Sequence, residues 1–287
     1  MLDIHTHILT VWGRKPFTEK DLLGRMDLLG IEKSVLLPLG DSPETNFFRF
    51  GTEDAVRVYR RHPDRIIPFC CVDPRAGGNS PETDFLPLPN YYREKGCKGF
   101  GELTANLPVD DPLCINLYRQ CGEAGMPVLF HLYRKIGGFY GLVDSPGLPG
   151  LEKVLGLCPE TIFIGHAMVF WDEISYDTGT ARKTEYPAGP VKLPGRIQSL
   201  MEKYPNLYGD LSAGSGYNAI TRDPEYGYDF LNTYRDRLLL GTDLCHQEPD
   251  IPGKIVDYFR RSRESGRISE TAYLKIVEDN ARRILGI

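Results

Sequence analysis

The chain has no run of roughly 18 consecutive apolar residues, the length a membrane-spanning helix needs, so no membrane span is expected. It has no basic tail and no arginine-rich stretch. Thirty-four Lys and Arg stand against 39 Asp and Glu, a formal charge of −5, which offers a phosphate backbone nothing to grip and argues against nucleic-acid partners. It has no CxxC pair and no regular cysteine spacing. The seven cysteines, an odd number, are therefore expected as reduced residues in the core or on helices, not as a disulfide framework or a thiolate metal site. The first twelve residues show neither a basic segment nor an unbroken apolar one, so no secretory leader is read there and the cytoplasm is the expected compartment. No GxGxxG follows the first apolar run, which removes the main signature of an open dinucleotide-binding sheet.

What is present is a globular composition, 41% hydrophobic and 25% charged, long enough at 287 residues to bury a large core. Short apolar runs alternate with amphipathic segments. Strands are expected at 2–5, 33–38, 66–72, 97–103, 127–131, 161–166, 207–211 and 238–243. Helices are expected near 18–29, 52–61, 90–95, 112–124, 148–156 and 195–203, with 248–263 and 270–287 closing the outer ring. Thr18 with the acids that follow reads as a helix start, and His62-Pro63 as a helix stop. Strands alternating with helices pair in parallel, and eight such units predict a closed (β/α)8 barrel formed by residues 1–287 as one domain. Residues 170–194, rich in Gly, Pro and Tyr, lack periodicity and are expected to form a long loop or lid after the sixth strand, roofing the site.

A barrel of this kind gathers its chemistry at the C-terminal ends of the strands. His5 and His7 are two apart, so an extended segment turns both imidazoles the same way and lets them reach one ion. His131, His166 and Asp243 end the fifth, sixth and eighth strands. Two positions behind them lie Leu129, Ile164 and Gly241, an apolar or small floor beneath a polar ring. Neutral imidazoles with a carboxylate suit zinc and similar divalent ions. Taken singly, His131 and His166 are each as well explained as hydrogen-bonded core histidines, the His5 and His7 pair can be satisfied by backbone carbonyls, and Asp243 could instead cap the eighth helix. The recurrence over four strand ends is what points to metal.

Glu102 ends the fourth strand, with Lys98 and Phe100 expected on its face. Three roles are open to it: bridging a second ion, holding a ligand histidine, or touching substrate. In the loops, Arg134 beside Tyr133 is placed to clamp a carboxylate or phosphate, unless it serves a salt bridge between loops. His246 follows the eighth strand, facing substrate or solvent. Trp12 and Trp171 are candidates to frame an apolar or aromatic pocket. Arg14, Ser212, Ser215 and Asn218 are weaker loop candidates.

The ordered set His5-Thr6-His7, Glu102, His131, Gly165-His166-Ala167 and Gly241-Thr242-Asp243, with the closing segment Asn280 to Gly286, resembles the amidohydrolase superfamily, in its amidohydrolase-related branch. The resemblance covers nearly the whole chain. It implies that His5 and His7 bind the metal, that His131 and Asp243 complete a mononuclear site, and that His166 orients or activates water, with Asp243 also shuttling a proton. Where many binuclear members carry a carboxylated lysine, this chain has Glu102, as some members do, which leaves room for a second ion. The resemblance implies one divalent ion, with zinc the first expectation and manganese and iron able to share the ligand set. The expected activity is hydrolysis of a small, anionic ester, lactone or amide. The alternative is nonoxidative decarboxylation of an aromatic or unsaturated carboxylic acid, and the remaining one a metal-binding scaffold without turnover. The expected partner is a small-molecule substrate. A homo-oligomer is compatible with the sequence but has no marker in it.

Overall fold

The computed structural model describes residues 1–11, 15–176, 186–246 and 250–287; Trp12, Arg14 and the middle of the 170–194 segment lie outside the described residues. In chain order the elements are β1 (Leu2–Thr6), α1 (Glu19–Leu29), β2 (Lys33–Leu36), α2 (Thr52–Arg61), β3 (Ile66–Pro68), α3 (Pro87–Glu94), β4 (Phe100–Leu103), α4 (Pro112–Glu123), β5 (Val128–Tyr133), β6 (Leu142–Val143), α5 (Pro149–Leu157), β7 (Phe163–His166), α6 (Met168–Asp172), α7 (Arg196–Lys203), β8 (Leu207–Asp210), α8 (Ala213–Thr221), α9 (Pro224–Thr233), β9 (Leu238–Leu239), α10 (Asp250–Glu264), α11 (Glu270–Leu274) and α12 (Asn280–Leu285). One π-helical stretch, Lys275–Asp279, joins the last two helices.

All strand pairs are parallel, in the orders β1-β2-β3 and β4-β5-β7-β8-β9. Two seams join these arcs. Cys70 pairs with Phe100 between β3 and β4, and beyond β9 the Ile4 N–H donates to Leu240 O at 2.9 Å and the Asp243 N–H to His5 O at 2.9 Å. The sheet closes into a (β/α)8 barrel, with β6 a short extra strand against the end of β5.

The ends of the helices follow local chemistry. Thr18 caps α1 in a reciprocal box with Asp21, and Gly30 stops it in the left-handed conformation. Asp111 caps α4 ahead of Pro112. One expected loop is structured instead. The stretch of Ser212, Ser215 and Asn218, expected as a loop, holds the whole of α8 behind Ser212, and α6 takes in only the first three residues of the 170–194 segment. Gly, Ser and Tyr weaken the helical signal of α8, and burial of Ala219 and Ile220 supplies what propensity does not. An antiparallel bridge, Ser175 to Pro194, pinches together the segment expected as a lid.

Apolar side chains pack in two layers. Outside, Phe100, Val128, Phe130, Phe163 and Leu207 meet helix residues such as Leu117, Val154 and Ile255. Inside, Ile4, Val35, Ile67, Leu129, Ile164, Tyr208 and Leu239 fill the barrel, and α12 adds Ala281, Ile284 and Leu285 at the strands' N-terminal end. Each large side chain buried this way contributes ~1.5–3 kcal/mol.

Two irregularities decide which residues face the barrel axis. In β1, Asp3 lies opposite Ser34 but Thr6 opposite Leu36, so three steps oppose two. That extra residue lets Leu2 and Ile4 face the interior and, past it, His5 and His7 as well. In β4 the same count recurs between Phe100 and Leu103, opposite Val128 and Phe130. The expectation that Phe100 shares the face of Glu102 is therefore corrected: Phe100 packs in the outer layer, and the bulge turns Glu102 inward.

Candidate metal centre

The bulge in β1 delivers two imidazoles to one point: His5 Nε2 and His7 Nε2 are 2.9 Å apart, and both rings are buried. Their other nitrogens are committed. His7 Nδ1 faces the Leu37 carbonyl at 3.1 Å, and His5 Nδ1 faces Asp210 Oδ2 at 2.6 Å. A carbonyl only accepts, so the Nδ1 of His7 carries the proton and its Nε2 points a lone pair at His5. Glu102 Oε2 lies 3.4 Å from His7 Nε2 and 3.7 Å from His5 Nε2, and Asp243 Oδ1 lies 3.6 Å and 3.7 Å from the same atoms. With His5 and His7 neutral in these tautomers, four electron-rich atoms converge on one point, and a cation balances such a cluster. His5, His7 and Asp243, and likewise His5, Glu102 and His166, each bring one ligand atom within 4.8 Å of the others. The donor set of nitrogens and carboxylate oxygens fits a divalent ion.

Around this cluster lies a ring of supports. Asp210, at the end of β8, accepts from His5 and from Ser212 Oγ at 2.8 Å and lies 3.1 Å from His166 Nδ1, so one carboxylate orients two imidazoles. Burial works against its charge, yet His5 and His166 hold its carboxyl below the usual range. Burial likewise opposes charge on His166, but Asp210 lifts its pKa to about 9. Glu102 is buried too, and its contacts with His131, 2.8 Å away, and His7 hold its carboxyl well below the ordinary value. On His7 burial is outweighed by Glu102 and Asp243, which raise its pKa. His131 goes the other way, lowered by burial. Beneath the cluster Asp3, pushed up to about 7 by burial, accepts from the His5 N–H at 3.0 Å and from Thr242 through both its N–H and its hydroxyl. It ties the strand of His5 to the segment of Asp243.

A cavity of about 240 Å³ opens above, floored by His7, Glu102, His131, His166 and Asp243 and walled by Phe17, Leu39, Phe48 and Tyr140, with Lys15, Cys245 and His246 also lining it. Its size falls below the roughly 300–1,000 Å³ of pockets for drug-sized ligands, which points to a compact substrate.

The structure therefore brings together His5, His7, Glu102, His166 and Asp243. It gives His131 a hydrogen bond to Glu102 and puts His246 on the cavity lining. Arg134 and Trp171 are not among the cavity's lining residues. Arg134 pairs with Asp172 at 3.1 Å. Trp171 is buried behind β8, where its indole N–H donates to Asp210 O at 2.7 Å and its ring fills the space a side chain at Gly209 would need. The tryptophan expected to frame substrate thus braces the strand of Asp210. Trp12 lies outside the described residues. Asp210 escapes a reading of the sequence, although the rule applied to His131 and His166 finds it: a polar strand end two positions past the inward-facing Tyr208. Phe17, Phe48 and Tyr140 carry no such signal, because loop conformation brings them to the cavity.

A parallel barrel with imidazoles and carboxylates converging at the C-terminal ends of its strands defines a barrel enzyme with a candidate metal centre. More narrowly, the chain belongs to the amidohydrolase family, whose profile, described as Amidohydrolase, matches residues 3–287. No curated protein matches the chain. Among solved structures, an uncharacterised TIM-barrel protein from Bordetella bronchiseptica superposes with a TM-score of 0.65 at 16% identity, covering 99% of this chain and 98% of that one. A dihydroxybenzoic acid decarboxylase from Polaromonas, with bound manganese and the inhibitor 2-nitroresorcinol, gives 0.61 at 16% identity, covering 99% and 96%. A probable 2-pyrone-4,6-dicarboxylic acid hydrolase from Acinetobacter baumannii, with citric acid bound, gives 0.58 at 12% identity, covering 100% and 99%. Likeness at these identities shows the fold.

Proposed function

We propose that this enzyme is a metal-dependent hydrolase of a small anionic ester, lactone or amide. The observation that carries the reading is the convergence of His5, His7, Glu102 and Asp243 on one point beneath a small cavity. These four residues would hold a divalent ion, zinc by ligand type, with manganese and iron accepted by the same donors. Glu102, facing both this group and His131, leaves room for a second ion near His131 and His166. A bound ion supplies Lewis acidity, lowering the pKa of water from 15.7 toward about 7 and polarising a carbonyl.

The chain's own groups supply the rest. Asp243 reaches the ligand cluster with Oδ1 while its side chain remains 28% exposed toward the cavity. It accepts the proton of the attacking water and passes it to the leaving group. His166, its Nδ1 fixed by Asp210 and Ser212, turns its Nε2 toward Glu102 and orients the water. Lys15 and His246 at the cavity edge attract an anionic substituent. Arg134, expected at the substrate, pairs with Asp172 away from the cavity lining, so no substrate contact is assigned to it.

The aromatic wall of Phe17, Phe48 and Tyr140 favours a second reading, decarboxylation of a flat aromatic acid. The test is metal analysis of protein purified without added metal, followed by product analysis on panels of esters, lactones, amides and aromatic acids. Chelation is expected to abolish turnover and re-addition of zinc or manganese to restore it. A new acid with an alcohol or amine supports hydrolysis; carbon dioxide without consumption of water replaces it with the second reading. Full turnover after removal of all metal sinks both.

A further inference from the structure

Tyr140 stands at the end of the glycine-rich segment that follows β5, and its position is fixed from every side. The next residue, Gly141, has φ +110°, and a Cβ there would lie 2.7 Å from His131 Cδ2, so only glycine lets the backbone press against that histidine. The Gly141 N–H donates to Thr104 O at 2.7 Å, the Asn106 amide donates to Gly141 O at 3.0 Å, and β6 then pairs with β5. The ring of Tyr140 meets the edge of His131 at 4.9 Å, stacks on Phe139 at 4.2 Å and meets Phe48 at 5.8 Å.

Held in this way, the side chain lines the same cavity as Glu102, His131, His166 and Asp243. Its hydroxyl has no hydrogen-bond partner among the described residues. The cavity floor that it faces is made of histidines and carboxylates. A phenol keeps its proton at neutral pH and can donate it in a hydrogen bond without transferring it. Tyrosines fixed against a wall elsewhere in this chain spend their hydroxyls on protein acceptors, as Tyr118 does on Val109 O and Tyr258 on Ile220 O. Among the described residues Tyr140 spends its hydroxyl on no acceptor, and the ring lines the cavity above the candidate metal centre.

We propose that Tyr140 is a catalytic residue whose hydroxyl donates a hydrogen bond to the substrate oxygen on which negative charge develops as water adds to the carbonyl. This rests on the hydrolytic reading above. The bond strengthens as that oxygen gains charge and weakens when the carbonyl re-forms, so it acts on the transition state more than on bound substrate. The ring contacts with His131 and Phe139 hold the donor in place beforehand, so little reorganisation is needed at the moment of reaction.

The test separates this hydrogen bond from the reaction it serves. Tyr140→Phe removes only the hydroxyl and keeps all three ring contacts. The metal-loaded, full-length wild type and variant are titrated calorimetrically with ethyl methylphosphonate, a tetrahedral anion shaped like an ester in the act of hydrolysis. Metal content and Tm are measured alongside. The variant is expected to match wild type in metal content and Tm but to bind the phosphonate at least ~10-fold more weakly, the range of a hydrogen bond to a charged group. On any ester, lactone or amide the wild type turns over, kcat is expected to fall ~10²-fold with KM little changed, as for loss of one oxyanion donor. Equal phosphonate affinity, or no binding by the wild type, overturns the assignment. If the wild type hydrolyses nothing while the phosphonate still distinguishes the two proteins, the hydrolytic reading fails and the Tyr140 hydrogen bond stands.

Discussion

The floor of the barrel and its mouth lie two residues apart on the same strands and are built on opposite principles. Leu129, Ile164 and Tyr208 face the interior among apolar neighbours; His131, His166 and Asp210 follow on β5, β7 and β8. The floor gains stability from area removed from water, a term that is insensitive to direction. At the mouth burial opposes every charge, and the charged forms persist because each has an oriented partner: Glu102 beside His131 and His7, Asp210 between His5 and His166. Truncating a side chain in the floor weakens packing and leaves the chemistry in place. Removing a partner at the mouth leaves a buried group unbalanced, and the reaction centre goes with it.

Glu102→Gln tests the mouth most severely. The substitution keeps shape and removes the charge that faces four histidines. Bound metal is expected to fall sharply and kcat to drop at least ~10³-fold, about 4 kcal/mol of barrier. Metal analysis and steady-state kinetics on the folded variant read both quantities. A variant that retains its metal and turns over normally would mean that Glu102 is only a structural partner of His131.

Ile164→Ala tests the floor. Its side chain is fully buried in the inner layer, and truncation is expected to cost ~2–5 kcal/mol of stability by leaving a cavity. Urea denaturation measures that loss, and kcat per folded molecule is expected to stay close to wild type. If turnover collapses while stability holds, floor and mouth are not separable in the way their packing suggests.

This separation also explains what can be read from the sequence. The floor and most of the polar ring are legible because one rule, alternation by two along a strand that ends at the mouth, yields Leu129 with His131 and Ile164 with His166. Asp210 obeys the same rule behind Tyr208, yet a strand read as 207–211 ends on Leu211, one position past it. The bulges in β1 and β4 are not legible, since an extra residue shows only against the neighbouring strand. Hence alternation alone puts Phe100 on the face of Glu102. It is equally blind to Trp171, because aromatic residues in loops look alike in sequence whether they meet substrate or protein. Burial against Gly209 and a hydrogen bond to Asp210 O give that tryptophan a bracing role.

Asp210→Asn probes the boundary between support and ligand. The amide keeps one acceptor oxygen, but its NH₂ faces imidazole nitrogens that themselves donate to the carboxylate, so His5 and His166 cannot both keep their orientation. Supports of this kind typically matter 10–100-fold in metal affinity or activity, ~1.4–2.7 kcal/mol. Competition with a metallochromic chelator gives the affinity, and kcat the rest. An unchanged affinity together with unchanged kcat would remove Asp210 from the working site.

His62→Ala supplies the smallest effect and sharpens the contrast within one residue type. His62 follows α2 on the outside of the barrel and meets Glu19 at 2.6 Å, with side chains 32% and 26% exposed. Water and salt screen such a pair, and the Arg61 guanidinium also binds Glu19, so the carboxylate is not left alone when the imidazole is removed. Stability is expected to change by less than ~1 kcal/mol, with metal content and kcat unaltered. A histidine of the same chemistry, 2.9 Å from a second imidazole inside the mouth, is expected to abolish metal binding when replaced by Ala. Were His62→Ala to lower metal content as His5→Ala does, the loss would reflect general destabilisation, and position in the barrel would no longer be what distinguishes the two histidines.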